Sequence, residues 1–146
     1  ASFDGAYSMN VSMNIGDKAA FYKEIIRILK TGAWLILSEI AKGPGGELDF
    51  PTPWARTAES SFLATPEATR QGLEAAGFAA INIRDTISES EDFAARSREM
   101  VERGLKPPHR AVRLVHGEMA ADASANSARG LKNGCTIPIE AMCVKP

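Results

Sequence analysis

The stretch Ile25-Ile26-Arg27-Ile28-Leu29-Lys30-Thr31-Gly32-Ala33-Trp34-Leu35-Ile36-Leu37-Ser38-Glu39-Ile40 decides the fold. Upstream of it Asp17 is placed to cap a helix whose apolar residues Phe21, Ile25, Ile28 and Leu29 share one face, with Lys30 near its end and Gly32 just past it. Trp34 to Ile40 is apolar on both parities until Ser38, which predicts a strand buried on both faces by helices. Before the helix, Phe3-Asp4-Gly5-Ala6-Tyr7-Ser8-Met9 reads as another strand, beginning almost at the first residue. Strand, helix, strand is a parallel crossover unit, and it places the chain in the α/β class.

Ala41 to Ala64 is a long connection carrying Gly43, Pro44, Gly45, Gly46, Pro51 and Pro53, with the large apolar residues Phe50, Trp54 and Phe62. Connections of this length are often binding loops or lids. The Gly43-Pro44-Gly45-Gly46 cluster reads as a flexible turn, because it opens no helix that could hold a phosphate. Thr65-Pro66-Glu67 starts the next helix and Gly77 closes it. Ala80 to Asp85 alternates as a short strand, and Ser90 opens a helix running toward Gly104. Pro107-Pro108 ends it, and His109 after them reads as a solvated helix-start residue. Arg110 to Leu131 has helical spacing with a bend near Gly117, and Cys135 to Val144 alternates as a last strand with Pro138 near its beginning or on an edge.

The composition is that of one ordinary globular domain: 146 residues, 45% hydrophobic, 24% charged. Seventeen basic and eighteen acidic residues leave a net charge of −1, so nothing overall draws the chain to nucleic acid or to an anionic membrane. No apolar run reaches the ~20 residues of a membrane helix and no signal peptide is visible, so a cytoplasmic location is expected. Cys135 and Cys143, on one extended strand, stand about 26 Å apart and cannot bridge. His109 and His116, about 10 Å apart on a helix, cannot share a metal ion. A disulfide scaffold, a zinc site and a Cys/His hydrolase are thereby disfavoured, and no metal is expected.

Chemistry in open parallel sheets sits beyond the carboxyl ends of the strands. One such end carries Ser8-Met9-Asn10-Val11-Ser12-Met13-Asn14, small polar residues and methionines outside any periodic pattern. The other carries Ser38-Glu39-Ile40 and then the Phe50-Pro51-Thr52-Pro53-Trp54 loop. Polarizable sulfur, amides and an aromatic suit a soft or cationic ligand. Each residue also has a plain structural reading: Met9 and Met13 as core, Asn10 and Asn14 as turn and cap residues, Glu39 as a buried strand-end acid tied to backbone N–H groups, Trp54 as a loop anchor.

These passages carry a resemblance. Phe3-Asp4-Gly5-Ala6-Tyr7-Ser8, Met13 to Lys18 and the Ile25 to Leu35 stretch, followed by Gly72-Leu73-Glu74-Ala75-Ala76-Gly77-Phe78 and the last strand, are similar to class I S-adenosylmethionine-dependent methyltransferases, in the style of sarcosine/dimethylglycine and ubiquinone-biosynthesis enzymes. The resemblance implies the C-terminal half of a Rossmann-like sheet, with helices on both faces and an antiparallel last strand. Residues 1–146 then form a single partial domain that lacks the family's N-terminal glycine-rich cofactor loop and ribose-binding acid.

It further implies S-adenosyl-L-methionine as the cofactor of the complete enzyme and a small-molecule methyl acceptor. Ser8, Met9, Asn10 and Met13 are expected on the cofactor side, and Glu39, Trp54 and Arg56 on the acceptor side. No catalytic base is assigned, since methyl transfer requires none. Two other readings stay open: a non-catalytic interaction module that folds by self-association, and half of a nicotinamide or flavin enzyme. Pairing is expected either as a homodimer or with an N-terminal half, because the first strand would expose an edge and the apolar faces around Tyr7 and Leu37 would lack cover.

Overall fold

The computed structural model describes residues 1–105 and 111–146, so the expectations for Pro107, Pro108, His109 and Arg110 lie outside the described residues. Asp17 accepts a hydrogen bond from the Ala20 amide at 2.9 Å and starts helix α1, Lys18–Ile28. Strand β1, Phe3–Met9, and strand β2, Leu29–Lys42, flank that helix and pair in parallel, as a crossover unit should. Thr65 caps helix α2, Pro66–Ala76, through the Ala68 amide, and Gly77 ends it in the left-handed region at φ 102°. Strand β3, Ala79–Asp85, helix α3, Ile87–Glu102, helix α4, Ala111–His116, helix α5, Ala120–Lys132, and strand β4, Thr136–Val144, complete the chain. The sheet order is β1-β2-β4-β3, and β4 runs antiparallel to both of its neighbours.

Three local expectations change. Helix α3 begins at Ile87 rather than Ser90, because the Thr86 carbonyl already accepts the Ser90 amide. Helix α1 stops at Ile28, and Leu29 is extended. Its terminal carbonyls are satisfied from the far end of the chain: the Lys145 ammonium donates to the Ile26 and Leu29 carbonyls at 2.8 Å each. Gly32, freed from helix capping, sits at φ 80° with its amide on the Lys145 carbonyl. There β1 advances two residues, Phe3 to Gly5, while β2 advances five, Leu29 to Trp34.

The glycine cluster is no slack connection. The Gly43 amide donates to the Cys135 carbonyl and the Gly45 amide to the Gly134 carbonyl, each at 2.8 Å. A Cβ on Gly43 would lie 2.1 Å from the Gly134 carbonyl oxygen, and one on Gly45 2.0 Å from that of Asn133. Glycine is required there for close backbone approach.

One face of the sheet is closed along its length, while the other is buried at Thr136 and Pro138 and open toward Trp34 and Met142. Leu35, Leu37, Ala141 and Cys143 are buried with Tyr22, Leu29, Leu73 and Phe78 beneath α1 and α2. Leu37, expected to lack cover, is fully buried. The exposed apolar residues have the opposite parity: Tyr7 is 73% exposed, Trp34 44% and Met142 48%. The even positions of β2 therefore depart from the expected burial on both faces, and β1 does form a sheet edge. Both cysteines are free and buried, and burial pushes the Cys143 thiol up to about 11. Among the described residues no helix is long and apolar enough to cross a membrane.

Helices α1 and α2 meet where Gly72 faces Tyr22, and a Cβ on Gly72 would stand 2.8 Å from the ring carbon Cε2. Helix propensity alone would reward Gly72→Ala by up to ~1 kcal/mol, but the ring is fully buried and overpacking costs about 1–3 kcal/mol. Gly72→Ala is therefore expected to lower the urea midpoint with an unchanged m-value. A higher midpoint would mean that the two helices have room to part.

Candidate functional site

Beyond the end of β1 the chain turns sharply. Asn10 takes a left-handed conformation, φ 54°, while its amide donates to the Ser38 carbonyl at 2.7 Å and keeps the turn against β2. Met9 and Asn10 are exposed and Ser8 is half-buried, so the strand end presents a thioether and an amide at its open lip. A single 3-10 turn follows at Ser12–Asn14, and Met13 is fully buried in it.

Glu39 lies directly beneath this turn. It is only 6% exposed and accepts a hydrogen bond from the Ser12 hydroxyl. The Lys18 ammonium donates to the carbonyls of Ser12 at 2.6 Å and Ile15 at 3.3 Å, so it binds the turn rather than the carboxylate. The hydroxyls of Tyr22 and Thr69, also buried, sit beside this group without a well-aligned hydrogen bond. Burial raises the Glu39 carboxyl above its ordinary range, with Lys18 pulling the other way. Burial likewise lowers the Lys18 ammonium, and burial followed by the nearby Glu39 charge raises the Tyr22 phenol. Glu39 is thus a buried strand-end acid held by a hydroxyl, where its plain reading expected backbone N–H groups.

The long connection comes back to the same turn. The Phe62 amide donates to the Met13 carbonyl at 2.8 Å, and the Phe62 ring packs beside Gly16. One residue earlier, the Ser61 hydroxyl accepts the Trp54 indole N–H at 3.0 Å. Trp54 is half-buried and Arg56 exposed. Met13 and Trp54 are therefore brought to one region through the Ser61-Phe62 pair. Glu39 stays on the closed side of the sheet, and Arg56 projects to solvent. Ser12, Lys18, Tyr22 and Thr69 were not singled out from the sequence. The signal for Ser12 was its place in the polar run, two residues past Asn10. A shallow cavity of roughly 120 Å³ between β2 and the loop is lined by Lys42, Glu47, Phe50, Ser61 and Leu63. Among the described residues no cluster of His, Cys, Asp or Glu could hold a metal ion.

No family model and no curated protein matches this sequence. Solved structures do. A phosphoethanolamine N-methyltransferase from Haemonchus contortus, in complex with phosphomonomethylethanolamine and S-adenosylhomocysteine, superposes with a TM-score of 0.71 at 17% identity, over 99% of this chain and 34% of that one. A candidate sarcosine dimethylglycine methyltransferase from Galdieria sulphuraria gives 0.68 at 14% identity, over 99% of this chain and 53% of its own. The fold is a methyltransferase fold. A cyclase shares it as well, at TM-score 0.62 and 20% identity over 99% of this chain and half of that one. The methyltransferase fold therefore carries more than one chemistry. This chain spans between a third and about half of the length of these proteins.

The raised carboxyl of Glu39 has a thermodynamic consequence. A carboxyl that titrates higher folded than unfolded binds more protons in the native state. Stability then falls as pH rises from the ordinary carboxylate range through the folded pKa, and is level above it. Glu39→Gln keeps an oxygen for the Ser12 hydroxyl and removes the charge. Relative to the natural chain, this variant should gain stability as pH rises above the ordinary carboxylate range, read from paired urea titrations. A pH-independent difference would mean that Glu39 is not destabilised by ionisation in the folded chain.

Proposed function

We propose that this chain forms part of an S-adenosylmethionine-dependent methyltransferase that acts on a small molecule. The observation that carries the reading is the convergence of the β1 turn and the Trp54 loop at one strand end, in a fold whose solved examples include structures with cofactor product bound. The bound cofactor would supply an activated methyl group on sulfur. In this reading Ser8, Met9 and Asn10 line its methyl-bearing end, with Met13 as the floor beneath them. The thioether and amide at the open lip fit a sulfonium better than they would a phosphate. Trp54 and Arg56 border the acceptor, and Glu39 serves that side from below by holding Ser12. Their task is alignment at about 3–3.5 Å and exclusion of water rather than proton transfer.

The sequence has no G-x-G-x-G loop between a strand and a helix. The 146-residue chain by itself is therefore expected to bind S-adenosylmethionine weakly or not at all in a calorimetric titration, and micromolar binding would overturn the assignment of cofactor contacts to an upstream half. In the complete enzyme, Trp54→Ala should raise the acceptor KM or lower turnover by roughly tenfold, as expected for a lost cation–π contact of ~1–2 kcal/mol, with cofactor affinity nearly unchanged. Equal losses in both would make Trp54 a structural anchor.

A second reading, an interaction module, draws on the open edge of β1 and the uncovered Tyr7, Trp34 and Met142. Such an edge favours pairing with a second copy or with an N-terminal half. Sedimentation of the chain as a strict monomer at high concentration would count against self-pairing.

A further inference from the structure

The Phe50–Trp54 segment has the composition of a lid, yet it is tied at Pro51 to α5 and at Pro53 to the end of α4. Asn126, 8% exposed on α5, donates its side-chain amide to the Pro51 carbonyl at 3.0 Å. Its own side-chain oxygen accepts from Arg129, and this fixes which end of the amide faces the loop. Arg129 also reaches Asp49 at 2.9 Å. On the other flank the His116 ring nitrogen Nε2 lies 3.0 Å from the Pro53 carbonyl. Between these points Thr52 is fully buried, and Thr52 and Ala55 exchange both backbone hydrogen bonds, which closes a preformed turn. Leu48 packs onto Gly130, where a Cβ would lie 2.5 Å from its methyl.

We propose that Asn126 is a positioning residue that makes the Phe50–Trp54 segment a fixed wall of the strand-end crevice, carried by α5, rather than a lid that opens and closes. That this wall borders an acceptor rests on the function proposed above. That it is fixed does not. Proline has no N–H, so the carbonyl is the one backbone group through which Pro51 can be held. Asn126 is also the one buried member of the polar clamp, whereas the Arg129–Asp49 pair is exposed and contributes little.

The chain has two tryptophans, Trp34 and Trp54, so Trp34→Phe leaves Trp54 as sole reporter. In that background Asn126→Leu should raise acrylamide quenching of Trp54 by about threefold or more, as local opening exposes the indole. Asn126→Asp, nearly isosteric and still able to pair with Arg129, turns an oxygen toward the Pro51 carbonyl and should do the same. Arg129→Lys should change it little. In a Trp54→Phe background the Asn126 variants should leave Trp34 quenching unchanged. Unaltered Trp54 quenching in both Asn126 variants, or an equal rise for both tryptophans, would overturn the proposal. The measurement needs neither cofactor nor acceptor, so its failure would leave the methyltransferase reading standing, and failure of methyl transfer would leave the fixed wall standing.

Discussion

Strand β2 lies against β4 without interruption from Trp34 opposite Val144 to Lys42 opposite Thr136, and the other two strands are attached to that ladder. β1 joins it only through β2, and β3 only through β4. The closed face of the ladder, Leu35 and Leu37 beside Cys143 and Ala141, is the surface on which α1 and α2 bury their apolar stripes. Removing water from that surface is the main favourable term available to a chain of this size. The two strands are about a hundred residues apart in sequence, so the loop and helices between them must be accommodated before the ladder can close.

That long-range pairing explains what could be read from the sequence. Asp17, Thr65 and Gly77 act on their own neighbours, and each does what its residue type and position predict. The parallel crossover and the antiparallel last strand follow from the same local patterns. The end of α1 was not legible, because its cap is Lys145, more than a hundred residues downstream. Nor was the open face of the sheet, since an apolar strand looks the same whether one or both sides are covered.

The candidate site was legible in part for the same reason. Position at a strand end marked Met9, Asn10 and Glu39, and the structure puts all three within the same few residues of chain and partner strand. The side to which Glu39 points depends on the parity of β2, and that parity was hidden by apolar residues at both odd and even positions. Asn126 and His116 were invisible because their partners are backbone carbonyls, which carry no sequence signature. An asparagine on the buried stripe Ala120, Ala123, Asn126, Gly130 was nevertheless a signal that a polar partner had to be near.

The alternation at Gly43, Pro44 and Gly45 bears on how this segment can vary. Positions 43 and 45 face backbone oxygen at distances that exclude any side chain, while Pro44 between them is exposed and Gly46, at positive φ, meets open space. A stretch that looks like low-complexity filler is thus a two-residue periodic constraint. Substitutions there would separate sharply by parity: intolerance at the two packed glycines, wide tolerance at the proline, and at Gly46 a preference for residues such as asparagine that accept a left-handed backbone.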